Sequence, residues 1–211
     1  MPKLISVNVG RPRPIPYRGK QVMTGIFKEP VEGRVAARGT NLEGDEQANP
    51  KVHGGFDKAV YAYSREDYDW WEEELERPLE PGTFGENLTT MGLDLNGSAI
   101  GERWRVGTAL LEVSEPRFPC FKLGYRMGTQ RFVKRFAKAR RTGSYLRIVE
   151  EGELGAGDEI EVIERPDHGV SIGLFAEAYL GDRGLLPRLL DADQLSAGWR
   201  SWVEEAIAEA G

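Results

Sequence analysis

Arg103-Trp104-Arg105-Val106-Gly107-Thr108-Ala109-Leu110-Leu111-Glu112-Val113-Ser114 runs directly into Glu115-Pro116-Arg117-Phe118-Pro119-Cys120-Phe121-Lys122. Arg103–Val106 and Ala109–Ser114 read as strands, and Gly107-Thr108 between them is a hairpin turn signal. After the second strand comes a loop stiffened by Pro116 and Pro119, which fixes the direction of the chain's single cysteine, Cys120. Arg117 and Lys122 place cations on both sides of that thiol. The thiolate they favour is the form that binds soft metals or attacks electrophiles. A buried structural cysteine has the same local sequence, so local charge alone leaves both roles open.

Outward from this hairpin, the first two thirds of the chain keep the same character of short alternating runs punctuated by Gly and Pro, as in an all-β barrel. Strands are predicted at Leu4–Val9, Gly25–Phe27, Arg34–Ala37, Ala59–Tyr63, Tyr145–Glu150 and Glu159–Glu164. Two helices interrupt them. Ser64 and Asp67 form a capping box ahead of Tyr68, Trp71 and Leu75 at helical spacing, with Pro78 as the stop. The second begins near Thr129, turns Phe132, Val133 and Phe136 inward, and stops by Gly143. After Arg165-Pro166-Asp167-His168-Gly169 the pattern becomes helical: Ser171–Leu180, Leu185–Leu190 and Ser196–Ala210. The predicted organisation is a β-barrel with inserted helices over residues 1–164 and a small three-helix C-terminal domain over 165–211, docked on it because so few residues make a poor independent core.

Composition narrows the function classes. The chain has 211 residues, 40% hydrophobic, with a formal net charge of −6. That charge argues against general nucleic-acid binding, and no apolar run has the roughly 18 residues of a membrane span. The N-terminus enters a strand pattern with no signal-peptide architecture, and one cysteine suits a reducing compartment, so a cytoplasmic location is expected. The charge is uneven. Residues 117–147 contain no Asp or Glu but ten Lys or Arg. This window is read either as a solvated helix face or as a surface that receives an anion.

Two further segments carry chemistry-bearing residues. In Val52-His53-Gly54-Gly55-Phe56-Asp57-Lys58 the paired glycines let backbone approach a ligand, and His53, Asp57 and Lys58 supply a titrating donor, an acceptor and a cation. In Phe84-Gly85-Glu86-Asn87-Leu88 two polar residues lie between apolar ones, an arrangement suited to orienting a heterocycle or to satisfying a loop backbone. Cys120, His53 and His168 together would barely furnish a zinc site, with no close-spaced pair among them.

Taken with Gly44-Asp45-Glu46-Gln47-Ala48 and with Pro116–Leu123, these segments in this order make the chain resemble the MOSC domain, named after the C-terminal domain of molybdenum cofactor sulfurase. It is most similar to the YiiM-type subgroup, which adds three C-terminal helices. Asn49-Pro50 departs from the pattern, where an acidic residue and no proline are expected. The resemblance implies a molybdenum cofactor in a barrel pocket, with Cys120 as protein ligand to molybdenum. It implies that some of Lys28, Lys58 and Arg117 meet the cofactor phosphate, that Gly54, Gly55 and Asp57 lie against the cofactor, and that Glu86 and Asn87 orient the pterin. His53 then orients substrate or donates a proton. The implied activity is reduction of N-hydroxylated compounds such as N-hydroxylated purine bases, a detoxification role. The chain has no flavin or iron–sulfur motif, so electrons are expected from a separate, acidic flavin reductase docking on the 117–147 segment. The alternative is a non-catalytic carrier of the cofactor or of sulfur.

Overall fold

The computed structural model describes residues 1–48 and 54–210. Eight strands form one sheet: β1 (Lys3–Val9), β4 (Glu29–Pro30), β7 (Val60–Ser64), β8 (Leu88–Met91), β9 (Arg103–Val106), β10 (Ala109–Pro116), β11 (Ser144–Glu150) and β13 (Ile160–Glu164). Their spatial order is β13-β9-β10-β11-β7-β8-β1-β4. Pairings within it are antiparallel except β7 with β8, where helix α1 (Arg65–Leu75) makes the crossover that parallel neighbours require. Ser64 caps α1 by accepting from the Asp67 amide at 3.1 Å, as the capping box predicts.

The predicted 107–108 hairpin forms, with Val106 opposite Ala109. Gly107 has φ +57°, and a Cβ there would lie 2.3 Å from the Glu153 carbonyl oxygen, so only glycine fits this turn. β10 runs two residues past the predicted end, to Pro116 opposite Ser144. It is buried along its whole length, which fixes where the loop after it begins.

The expected closed barrel is replaced by a single mixed sheet. β1 and the chain entering β13 meet at one isolated bridge, Lys3 to Glu159, flanked by backbone bonds from Ile160 N–H to Pro2 O at 2.9 Å, Leu4 N–H to Asp158 O at 2.9 Å and Gly157 N–H to Leu4 O at 2.8 Å, but β1 and β13 form no ladder. β2 (Arg13–Tyr17) and β3 (Lys20–Thr24) make a separate hairpin, and β5 (Arg34–Arg38), β6 (Asn41–Leu42) and β12 (Gly152–Gly155) a second small sheet. The β2–β3 hairpin was not predicted because Pro14 and Pro16 argue against a strand. The two prolines occupy alternate positions opposite Met23 and Gln21, where a two-residue turn at Arg18-Gly19 leaves pairs that need no ladder hydrogen bond. Gly25–Phe27, predicted as a strand, is irregular chain.

Helices α2 (Phe121–Arg126) and α3 (Arg131–Ala139) follow β10. Phe132 and Phe136 of α3 pack on Trp71 of α1 and on Tyr63 and Phe84, making an aromatic core distinct from the main one. In the C-terminal segment α4 (Ile172–Leu180) and α5 (Ala197–Ala210) are α-helices, but Arg183–Asp191 between them is a 3-10 stretch containing Pro187. The three helical elements stand where the sequence placed them, the middle one as a 3-10 helix, since proline lacks the donor an α-helical interior needs. Ile172, Phe175, Leu189 and Val203 of this segment share one core with Trp104, Leu111 and Val113 of the sheet.

Candidate functional site

The end of β10 delivers Arg117 and Cys120 into a cleft whose other walls come from Thr24–Ile26, Asp45–Ala48, Tyr61 and Asn87. Cys120 stands just before α2, its carbonyl accepting from Leu123 N–H at 3.0 Å. Arg117 is buried, 6% exposed, with its guanidinium carbon 5.6 Å from the Tyr61 ring centroid. Its Nη1 has no hydrogen-bond partner among the described residues. Burial pushes the neighbouring Tyr145 phenol up to about 12 and the Tyr61 phenol well above its usual range, the Arg117 charge opposing both shifts. Tyr61 donates to the Thr142 carbonyl at 2.8 Å. At neutral pH the walls around Arg117 thus offer dipoles and no formal negative charge from these phenols.

Behind the loop lies a different environment. The Phe118 ring sits 4.2 Å from Tyr179, 5.6 Å from Trp199 and 6.0 Å from Phe175, so α4 and α5 form an aromatic socket for it. Glu115, next to the loop, pairs with Lys58 at 3.4 Å. Burial pushes the Glu115 carboxyl up, and Lys58 together with the Trp199 indole opposes that. One strand end therefore points Arg117 and Cys120 to the cleft and anchors Phe118 on the tail.

The sequence-predicted residues divide into two groups. Arg117, Cys120, Lys58, Lys28 and Asn87 all line the cleft. Lys28 is closely paired with buried Asp45, and burial lowers its ammonium below the usual lysine range. Asn87 accepts from Tyr61 N–H at 3.1 Å and donates to Asp45 Oδ2 at 2.9 Å and to Asn8 O at 3.2 Å. Gly54, Gly55, Asp57 and Glu86 are not on the cleft wall. Asp57 accepts from Arg147 Nε at 2.7 Å. Glu86 is 0% exposed and turns inward, its Oε1 accepting from Tyr68 Oη at 2.5 Å, Gly82 N at 2.6 Å and Thr89 Oγ1 at 2.9 Å. The expectation that Glu86 meets a heterocycle directly is thereby corrected: three donors and an apolar surround draw the carboxyl into the core, where it braces the loop that carries Asn87. His53 lies outside the described residues. His168 accepts from Val170 N–H at Nδ1 and so carries its proton on Nε2, directed at Ile100 O at 2.9 Å.

Tyr61, Tyr145 and Gln47, which sequence reasoning did not single out, also face the cleft. Tyr61 and Tyr145 were recognisable as strand residues, but only the register Tyr145 opposite Tyr61 places them side by side over Arg117.

Four of the ten cations of the 117–147 window are paired with carboxylates of the chain. Arg135 pairs with Glu74 at 2.6 Å, Arg140 with Glu177 at 2.8 Å and Arg141 with Asp67 at 2.5 Å, while Arg147 joins Asp57 and Glu112, each at 2.7 Å. The linear sequence left the segment either a solvated helix face or a surface that receives an anion. In the fold the anion-receiving reading stays open only for the cations outside these pairs. Chemically, the cleft combines a thiol that can serve as a soft ligand with a desolvated guanidinium whose Nη1 lacks an acceptor among the described residues, a donor set for an anionic group that also carries a soft centre.

Residues 49–161 match the family model of the MOSC domain. The chain is 39% identical over 201 residues to the uncharacterized protein YflK of Bacillus subtilis, covering 94% of this chain and 91% of that one. It is 34% identical to protein YiiM of Escherichia coli over 86% of this chain and 84% of that one. A protein of Gibberella moniliformis named "Reductase" is 38% identical over 70% of this chain, a match that spans 27% of its own length. The crystal structure of YiiM from Geobacillus stearothermophilus superposes with a TM-score of 0.80 at 30% identity, covering 97% of this chain and 98% of that one. No helix among the described residues is long and apolar enough to cross a membrane.

Proposed function

The chain belongs to the MOSC domain family, and on that footing we propose that it is a molybdenum-cofactor-dependent reductase of N-hydroxylated compounds, N-hydroxylated purine bases among them, acting in detoxification. The observation that carries the reading is the buried Arg117 guanidinium, with Nη1 unpartnered among the described residues, in the same cleft as Cys120. A desolvated cation with an unfilled donor fits a phosphate, and a thiol beside it fits a soft metal. A relative that bears the name reductase lends the redox assignment further support.

When bound, the cofactor supplies two-electron redox chemistry at molybdenum. Cys120 would ligate the metal, and Arg117 would hold the phosphate, with Lys58 contributing its charge from the same wall. Lys28, already neutralised by Asp45, acts chiefly through Asp45, which fixes Asn87 on the cleft wall. Tyr61 and Tyr145 flank the guanidinium and limit water around it. His53 is the proposed proton donor. Reduction of R–NH–OH to R–NH2 and water takes two electrons and two protons, so a proton source at the cleft is a chemical requirement. The electrons would come from a separate acidic flavoprotein.

The test is molybdenum and pterin content after expression in a cofactor-competent host, beside Cys120→Ser and Arg117→Met. Near-stoichiometric metal lost in both variants, with dithionite-driven reduction of N-hydroxyadenine by the wild type, is expected. Retention of full activity by Cys120→Ser would sink the ligand assignment. Metal and pterin without turnover would favour the carrier reading.

A further inference from the structure

The first 28 residues contain Lys3, Arg11, Arg13, Arg18, Lys20 and Lys28 and no Asp or Glu, a second acid-free basic stretch. The fold lays it against the 117–147 window at the mouth of the cleft. Tyr17 of β2 stacks on Phe121, the residue after Cys120, with centroids 4.1 Å apart and planes at 25°. Arg13 and Arg126 both stand over the Phe27 ring, at 3.5 Å and 4.9 Å. Thr24, at the end of β3, and Lys122 of α2 line the cleft itself. Among the described residues, Arg11, Arg13, Arg18, Lys20 and Arg126 make none of the ion pairs that match Arg135, Arg140, Arg141 and Arg147. Burial and then the charge of Arg13 push the Arg126 guanidinium below its ordinary value, while Glu29 and buried Glu86 offset part of that. Glu29 and the cleft-wall Glu46 are too few to neutralise five cations.

We propose that the electron donor docks on this rim, the β2–β3 hairpin together with α2, through an acidic surface of a flavoprotein, and not on the 117–147 window as a whole. The proposal rests on the reductase reading. It follows from two requirements: electron transfer weakens steeply with distance, so the donor must sit at the cleft mouth, and an acidic partner is steered to cations that the protein itself has not matched. With a net charge of −6 overall, such a partner is repelled by most of the surface, which sharpens orientation on the rim. The reaction balances with two flavin hydroquinones each giving one electron and becoming semiquinones, the substrate N–O bond breaking and two protons going to the amine and to water.

The probe is an acidic flavodoxin. Its affinity for the holo-protein, read by fluorescence anisotropy at low and high salt, is compared between wild type, Arg18→Glu/Lys20→Glu on the hairpin, and Lys134→Glu/Lys138→Glu on exposed α3. We expect a loss of about tenfold or more for the hairpin double and less than about twofold for the α3 double. Dithionite-driven turnover should be unchanged in both. Equal losses in the two doubles, or wild-type binding that does not weaken with salt, overturns the rim. Absence of dithionite-driven turnover in the wild type would instead strike the reductase reading, while the binding arms still decide where an acidic protein docks.

Discussion

Two arginines in this fold are equally buried and are treated oppositely. Arg147, on β11, gives its guanidinium to Asp57, to Glu112 and to the Gln194 carbonyl, a main-chain atom of the C-terminal segment. Arg117, at the end of the neighbouring strand β10, faces tyrosine rings and the Cys120 thiol, and its Nη1 has no partner among the described residues. A charge removed from water is costly unless it is paired. Arg147 offsets that cost within the chain and so ties the tail to the sheet. Arg117 leaves part of it standing, which is the physical mark of a site completed from outside. The difference is the ground on which Arg117 is proposed as a functional cation and Arg147 as a structural one.

The sharpest way to break the comparison is to remove each cation. Arg147→Met leaves Glu112 with Arg103 alone, frees the partly exposed Asp57 and unbonds the tail carbonyl, so a loss of about 3 kcal/mol is expected, from urea unfolding. A loss under about 1 kcal/mol would mean that the network is not holding the tail. Phe118→Ala tests the opposite face of the same loop. Emptying part of the aromatic socket should cost about 2–3 kcal/mol, below the range for a fully buried ring, and should alter the rate at which a disulfide reagent modifies Cys120. An unchanged thiol rate would show that the tail supports the fold but does not position the cysteine. Arg117→Met should change the stability of the cofactor-free protein by less than about 1 kcal/mol, because it strands no carboxylate. It should nevertheless abolish cofactor retention. A large destabilisation would make Arg117 structural and remove the distinction.

How much of this was legible in the sequence follows the same division. The 107–108 hairpin, the capped helix at Ser64 and the strand leading to Cys120 rest on local chemistry, and they form as read. The β2–β3 hairpin was hidden because its prolines are tolerated only through a pairing register that no local rule supplies. In the tail, Pro187 was visible and should have weighed against an α-helix in the middle element. At the site, Cys120 and Arg117 stood out by charge and spacing, and the structure places both in one cleft. Glu86 was misplaced because polarity between apolar neighbours does not say which way a side chain turns. The acid-free window looked uniform since its carboxylate partners Glu74, Asp67 and Glu177 lie far away in sequence.

Glu86 supplies the smallest and most discriminating extension of the comparison, since among the described residues its Oε2, like Arg117 Nη1, is a buried charged-group atom without a partner. A guanidinium cannot shed its charge at any relevant pH, but a carboxyl can. Burial, the dominant effect, pushes the Glu86 carboxyl up despite the bonds from Tyr68, Gly82 and Thr89. The folded state then holds this proton more tightly than the unfolded chain. Its contribution to stability is therefore fully present below the unfolded carboxyl value of about 4.3, and it declines as pH rises through the elevated folded value. Glu86→Gln keeps a neutral group of the same shape and should flatten that decline. Urea midpoints followed upward from mildly acidic pH should show wild type losing ground to the variant. Parallel profiles would mean that Glu86 is ionised in the fold, and that an acceptor-rich loop, and not only Arg117, stores an uncompensated charge next to the cleft.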